Sequence, residues 1–298
     1  MYILICNQNV SNSTAAKKFE AVKQLLDRRN ISYQAMLSDS AERSSLFLFE
    51  HLQNSSCLAV IIIGGDGTLH SILQIVVPYH IPIAFLPAGS GNDTARNLGI
   101  TDDPQLFVER LLLHNEQRLD VLLVNGKYGL TVAGFGLDAS IGKRVETANY
   151  KLLFNKIGLG RFIYSITAVF ELLSFRPFPS KLFLDGIEYT FPDTWLISLG
   201  NMRWYGGGLD ICPEADPTDG QMNVTVLHSA ARTRILFFLF PALLRGGPII
   251  SNEIVYATGK TVKIEANRKI PFVIDGEIYG GTHVDVQIIP SKLRFLLT

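Results

Sequence analysis

Leu58-Ala59-Val60-Ile61-Ile62-Ile63-Gly64-Gly65-Asp66-Gly67-Thr68 is the stretch from which the rest of the chain can be read. Its first six residues are continuously apolar and mostly β-branched, the pattern of a parallel strand covered on both faces. The glycines let backbone approach a ligand closely. From Thr68 to Val77 the apolar spacing turns helical, so a strand runs through a glycine turn into a helix N-terminus, whose unpaired N–H groups attract phosphate. Asp66 is the informative residue. A carboxylate in a phosphate cradle is repulsive unless a divalent cation lies between, so the loop points to a Mg²⁺-nucleotide. As a bare turn, it would need Asp66 only as a helix cap.

Outward from this loop the same unit recurs. Ile83–Leu86 reads as a strand, and Pro87-Ala88-Gly89-Ser90-Gly91-Asn92-Asp93 is a second glycine turn entering a helix. Upstream, Tyr2–Cys6 and Ser32–Leu37 read as strands, with helices over Thr14–Arg29 and Ala41–Leu52; downstream, Pro104–His114 is helical. The stripe Ala15, Phe19, Val22 and Leu26 marks the buried face of the first helix. Repeated βα units make a parallel sheet wrapped by helices, with ligands beyond the carboxyl ends of the strands. This organisation covers residues 1–120.

From 121 to 298 the pattern becomes antiparallel β, a sandwich. Asn125-Gly126 is a hairpin turn. Short strands are expected at Lys181–Leu184, Glu188–Phe191, Trp195–Gly200, Met222–Leu227, Ile254–Ala257, Thr261–Glu265, Pro271–Ile274 and His283–Ile289. Helices are expected near Ala139–Thr147, Phe162–Leu173 and Arg232–Leu244. Gly134-Phe135-Gly136-Leu137-Asp138-Ala139 fits a G-x-G-x-x-A dinucleotide fingerprint, but Tyr150–Arg161 supplies no acidic ribose ligand. Asp275-Gly276-Glu277 and Asp216-Pro217-Thr218-Asp219-Gly220, taken alone, are turns.

Composition narrows the partners. Lys+Arg and Asp+Glu stand at 27 each, so no global positive field recruits nucleic acid. Cys6, Cys57 and Cys212 are scattered, which excludes a disulfide scaffold and a cysteine zinc site and suits a reducing cytoplasm. No basic run precedes the first apolar residues, and the longest apolar run, Ile235–Leu244, is too short for a span. A peripheral contact is one reading of Ala231–Leu244, with Phe237 and Phe238 at a headgroup boundary and Arg232, Arg234 and Arg245 at lipid phosphates; a buried core helix is the other.

Gly64–Thr68, the 87–93 loop with Ala95, Arg96, Leu98 and Gly99 after it, and Asp275-Gly276-Glu277, in that order, resemble the diacylglycerol kinase catalytic superfamily, closest to its soluble bacterial lipid kinases. The resemblance implies a phosphofructokinase-like three-layer α/β domain, a β-sandwich domain, an active site in the cleft between them, and a last strand, 293–297, returning to the first domain. It implies ATP, Mg²⁺ and a lipid alcohol such as diacylglycerol, met at a membrane surface; a homodimer is left open. Gly64, Gly65, Asp66, Gly67, Thr68, Ser90 and Ser38 would contact the nucleotide, and Glu277 would be the general base with Asp66 as its catalytic partner. Asp93 would join Asp66 in a network with metal and water. Asp219, with the carbonyls of Asp216 and Gln221, would hold a second Mg²⁺.

The departures are local. Gln8 replaces the usual proline after Asn7, and the glycine and lysine of the family's first loop are missing from Asn9–Asn12. Lys17 and Lys18 come later, His70-Ser71 stands where many relatives have Asn-Glu, and Arg161 replaces a lysine. An NAD kinase-like phosphotransferase shares the first glycine loop, and a non-catalytic nucleotide- or lipid-binding relative fits the altered start. The second loop and Asp275–Glu277 favour the lipid branch, and the presence of both Asp66 and Glu277 favours catalysis.

Overall fold

The computed structural model describes residues 1–7, 14–38, 40–54, 57–147 and 163–298. Asn9–Asn12 and Arg161 fall outside the described residues. The contacts divide the chain into two units, Met1–Leu119 with Ser291–Thr298, and Asp120–Pro290.

In the first unit, β1 (Tyr2–Asn7), β2 (Tyr33–Ser38), β3 (Ala59–Gly64) and β4 (Ile83–Pro87) lie parallel in the order β2-β1-β3-β4. Helices α1 (Thr14–Asp27), α2 (Ala41–Asn54), α3 (Asp66–Tyr79), α4 (Asp93–Leu98) and α5 (Pro104–Leu111) alternate with them. β3 is buried along its whole length, which is why its sequence does not alternate. Alternation is instead between two covered faces. Tyr2, Leu4, Ile61, Ile63, Ala84 and Leu86 pack with Phe19, Val22 and Leu26 of α1 and Phe107 and Leu111 of α5. The register pairs Asn7 with Ser38, Ile63 with Leu86 and Gly64 with Pro87, so the carboxyl ends of these strands finish level. The chain's end joins this sheet: Phe295 pairs with Ile83 in parallel, Leu297 N–H donates to Asn115 O at 2.9 Å, and Arg294 grips Glu116 at 2.8 and 2.6 Å.

The second unit is antiparallel. After β5 (Glu116–Val124) and β6 (Lys127–Gly129), joined at Asn125-Gly126, come β7 (Val132–Gly136), α6 (Leu137–Thr147), α7 (Ile163–Ser174), β8 (Phe178–Leu184) and β9 (Ile187–Gly200). A two-residue pair, β10 (Trp204–Tyr205) and β11 (Leu209–Asp210), precedes β12 (Met222–His228). Then follow α8 (residues 232–245), β13 (Ile254–Gly259), β14 (Thr261–Ile274) and β15 (Glu277–Leu296), whose residues from Ser291 belong to the first unit. The order is β13-β12-β9-β7-β14-β15, with β8 pairing both β9 and β14. β9 and β14 therefore serve two layers each, as sandwich strands that change sheets do.

That explains the differences from the sequence reading. Glu188–Phe191 and Trp195–Gly200 form one strand, as do Thr261–Glu265 and Pro271–Ile274. Pro192-Asp193 and Asn267–Lys269 break the apolar pattern where each strand leaves one partner for another, yet the backbone stays extended.

α8 comprises Arg232–Arg234, a π-helical turn at Ile235–Leu239, and Phe240–Arg245. The segment is buried on one side and exposed on the other. Ile235 and Leu239 are 6% exposed and belong to the core, whereas Phe237 and Phe238 are 67% and 65% exposed. The ends are anchored. Arg232 donates to Leu172 O and Phe175 O at 3.2 and 2.6 Å and lies over the Trp195 ring, and Arg234 pairs with Glu253. Past Arg245, Gly247 N–H donates to Asp210 at 2.6 Å, and Asp210 also takes two bonds from Arg203. Arg232 and Arg234 are thus spent on the fold rather than offered to lipid phosphates.

Candidate functional site

The first glycine loop leaves β3 and enters α3 at Asp66, with Gly65 extended at the N-cap and no side chain capping it. The opening N–H groups of α3 consequently have no partner within the helix. A Cβ on Gly64 would stand 2.7 Å from Thr68 Oγ1, so this glycine is a packing requirement. Thr68 is 6% exposed, and its hydroxyl is buried without a hydrogen-bond partner. A buried hydroxyl left unsatisfied costs stability unless a ligand completes it.

The second loop leaves β4 directly alongside. A Cβ on Gly89 would lie 2.6 Å from Gly65 Cα, so the two loops touch backbone to backbone. Asn92 closes the second loop: it is left-handed at φ 51°, accepts from Gly89 N–H at 2.9 Å and donates to Gly89 O at 3.0 Å. Asp66 does not cap its own helix. Its two oxygens accept the N–H groups of Asp93 and Thr94, at 3.1 and 3.2 Å, across the chain at the start of α4. A Cβ at Gly91 would sit 3.5 Å from Asp66 Oδ2 and 3.7 Å from Asp93 Oδ2, so both carboxylates flank one spot. Arg96 pairs with Asp93. Two hard carboxylates beside a phosphate-type cradle fit Mg²⁺, which typically takes one or two carboxylates plus phosphate oxygens and water.

The other predicted contacts are less uniform. Ser90 is exposed at the loop tip. Ser38 is buried, and its hydroxyl both donates to Ser40 O at 2.7 Å and accepts from Ser40 N–H at 3.1 Å, a local turn. His70 is buried in α3, and Ser71 donates back to Gly67 O at 3.0 Å. Lys18 is a residue the sequence reading undervalued. Its ammonium donates to Pro87 O at 2.8 Å, at the root of the second loop, with Asp102 at 3.7 Å. Burial pulls its pKa below the ordinary value, and Asp102 opposes that shift.

In the second unit, Asp275 and Gly276 form the two-residue turn between β14 and β15, both with positive φ (49° and 97°). The Asp275 carboxylate accepts the N–H groups of Leu130, Thr131 and Val132 at 2.7, 2.8 and 3.1 Å. It therefore locks the turn, while Glu277, one residue beyond, is exposed and its side chain forms no hydrogen bond or ion pair. One acidic residue of this motif holds the structure and the other is left available.

The turn at Asp216–Gly220 satisfies itself. Asp216 accepts from Thr218, Asp219 from Gln221 N–H at 2.8 Å, and the buried Asp120 from Gly220 N–H at 2.6 Å. Among the described residues no three His, Cys, Asp or Glu side chains converge as cation ligands. Asp216 and Asp219 each accept these bonds through Oδ1.

A third carboxyl explains the G-x-G-x-x-A pattern. Asp138, at the start of α6, accepts from Tyr205 OH at 2.9 Å and from Ser198 Oγ at 3.5 Å. A Cβ on Gly134 would stand 2.0 Å from Asp138 Oδ2, and Gly136 is left-handed at φ 79°. The first glycine makes room for the carboxyl and the second turns the strand into the helix. Burial pushes the Asp138 carboxyl from its ordinary 3.8 up to about 6, against the two hydroxyls that lower it. A carboxyl raised by folding loses stability as pH climbs through 3.8 to 6; at about 1.4 kcal/mol per pH unit the charged form costs about 3 kcal/mol. Asp138→Asn is therefore expected to match the wild type near pH 4 and to exceed it above pH 6. Urea titrations at several pH values check this; a difference independent of pH would refute it.

Comparison with known proteins agrees with this architecture. Residues 1–124 match the diacylglycerol kinase catalytic domain, and residues 131–297 match the YegS C-terminal NAD kinase beta sandwich-like domain. A Mycobacterium tuberculosis protein named diacylglycerol kinase is 33% identical over 244 residues, covering 80% of this chain and 76% of that protein. The crystal structure of a diacylglycerol kinase from Bacillus anthracis superposes with a TM-score of 0.73 at 18% identity, covering 100% of this chain and 96% of the other. The chain belongs to the diacylglycerol and lipid kinase family, with a catalytic-type α/β domain followed by a β-sandwich domain.

Proposed function

We propose that this protein transfers the γ-phosphate of ATP to a hydroxyl of a membrane lipid such as diacylglycerol. The observation that carries the reading is the pairing of the two glycine loops, with the unpartnered Thr68 hydroxyl on one and Asp66 and Asp93 flanking Gly91 on the other. The N–H groups opening α3 and the Thr68 hydroxyl bind phosphate oxygens, and Ser90 closes over them. Asp66 and Asp93 would hold Mg²⁺, which when bound neutralises charge on the β- and γ-phosphates. Glu277 takes the proton of the lipid hydroxyl as its oxygen bonds to the γ-phosphorus and the bond to the leaving ADP breaks. An ordinary exposed carboxylate suffices, because little proton transfer is needed early in a loose transition state.

The test is transfer of labelled γ-phosphate to mixed micelles of diacylglycerol, phosphatidylglycerol, a sphingoid base or a polyprenol, with NAD as a soluble acceptor. A labelled lipid product is expected. Label on NAD alone would install the NAD kinase-like reading, and ATP binding without any product would make the chain a non-catalytic relative.

Access to lipid is proposed to be peripheral, from the cytoplasmic side; among the described residues no helix is long and apolar enough to cross a membrane. The outward Phe237 and Phe238 of α8, with Arg245 beyond them, suit an interface. Phe237→Ser with Phe238→Ser is expected to weaken cosedimentation with anionic vesicles several-fold at an unchanged melting temperature, since neither ring is in the core. Undiminished sedimentation would move the membrane contact to another surface.

A further inference from the structure

Asn201, the first residue after β9, is fully buried, and the phosphoryl transfer proposed above gives it no role. Its side-chain nitrogen donates to Asp120 O at 2.9 Å and to Leu130 O at 2.8 Å. Two carbonyl acceptors fix which end of the amide is the nitrogen, and a carboxylate could not replace it, having no hydrogen to donate. The other end is left bare: among the described residues, Asn201 Oδ1 is buried without a partner. An orphaned buried acceptor costs stability, so this amide is kept for what its donors hold.

What they hold is the buried segment Leu130–Val132. Leu130 O takes the Asn201 side chain, Thr131 O takes the N–H groups of Asn201 and Met202, both at 3.0 Å, and Val132 O takes Asp275 N–H at 3.1 Å. On its other side the segment gives all three N–H groups to the Asp275 carboxylate. Gly129, just before it, has no room for a side chain, because a Cβ there would stand 2.6 Å from the Ile274 side chain. The segment is thus gripped by Asn201 on one side and by the turn that carries Glu277 on the other. The Glu277 side chain makes no bond of its own, so only its backbone decides where the carboxylate stands.

We propose that Asn201 is a positioning residue for phosphoryl transfer: by holding the Leu130 and Thr131 carbonyls it fixes the segment on which Asp275 sets its turn, and through that turn the place of the Glu277 carboxylate. The inference rests on the lipid-kinase reading and adds to it a buried residue that acts only through others.

The test uses the full chain and the shape-preserving variant Asn201→Asp, which puts a carboxyl where two carbonyl oxygens expect donors; Asn201→Ala takes its place should that variant not fold. The expected loss in kcat is about 10²-fold, the scale of a misplacement of about 1 Å. The KM for ATP should stay put, since the glycine loops belong to the other unit. In a Glu277→Gln background the same change should lower kcat by less than about threefold, because residues that act as one unit are not additive. A merely structural role would give equal losses in both backgrounds. A second readout needs no activity: amide exchange at Leu130, Thr131 and Asp275 should run at least about tenfold faster in the variant, while exchange at Ile61–Ile63 of β3 is unchanged. Equal kcat losses in the two backgrounds, or unchanged exchange at Asp275, overturn the proposal. Faster exchange at Asp275 in a chain that phosphorylates no lipid would defeat only the kinase reading, and lipid phosphorylation with unchanged exchange would defeat only this one.

Discussion

Asp66→Asn is expected to cut phosphoryl transfer at least ~10³-fold at saturating Mg²⁺ and ATP, the scale of losing a preorganised electrostatic group. The substitution removes a charge and also mismatches a geometry. Both Asp66 oxygens accept N–H groups at the entry to α4; an asparagine can present only one oxygen, and its amide would point a donor at a donor. A hydrogen bond to a charged group is worth about 1.5–3 kcal/mol, so a loss of stability of that order should accompany the loss of turnover. Circular dichroism should remain that of the wild type, since β3 and α3 are buried against the sheet independently of this side chain. Turnover within a few-fold of wild type would remove Asp66 from metal and phosphate chemistry.

Glu277→Gln is expected to lower kcat by about 10²–10⁴-fold, the range for a lost general base, with the melting temperature and the KM for ATP almost unmoved. The structural half of the argument is that the Glu277 side chain is exposed and partnerless while its turn is held by its neighbour. Asp275→Ala gives the opposite phenotype. It strands the N–H groups of Leu130, Thr131 and Val132, and each unsatisfied buried group costs about 1–3 kcal/mol, so the melting temperature should fall sharply. Exchanged phenotypes would mean that the roles within Asp275-Gly276-Glu277 have been assigned backwards.

Much of the first unit was legible because its signals are local. A continuous apolar strand such as Ala59–Gly64, a stripe such as Ala15, Phe19, Val22 and Leu26, and a glycine turn between strand and helix each follow from neighbouring residues. The second unit was legible in kind but not in detail, since β9 and β14 change partners midway and their apolar pattern breaks where the backbone does not. α8 was ambiguous for a related reason. A segment apolar on every side does not reveal which side is covered, and the π turn that divides Leu239 from Phe238 has no sequence signature.

What the sequence by itself determined is the order of elements, the two glycine loops and the acidic residues that punctuate them, because these depend on spacing along the chain. What only the tertiary structure decided is which carboxylate does what. Asp66 reaches across to α4 instead of capping α3, Asp275 ties down a loop more than a hundred residues away, and Asp138 sits in a hollow that Gly134 leaves for it. The physical reason is that a carboxylate's role is set by the donors and the solvent around it, and those arrive from distant parts of the chain. Four residues written simply as Asp or Glu thus become a loop clamp, a turn lock, a buried acid shifted to about 6, and a free surface carboxylate.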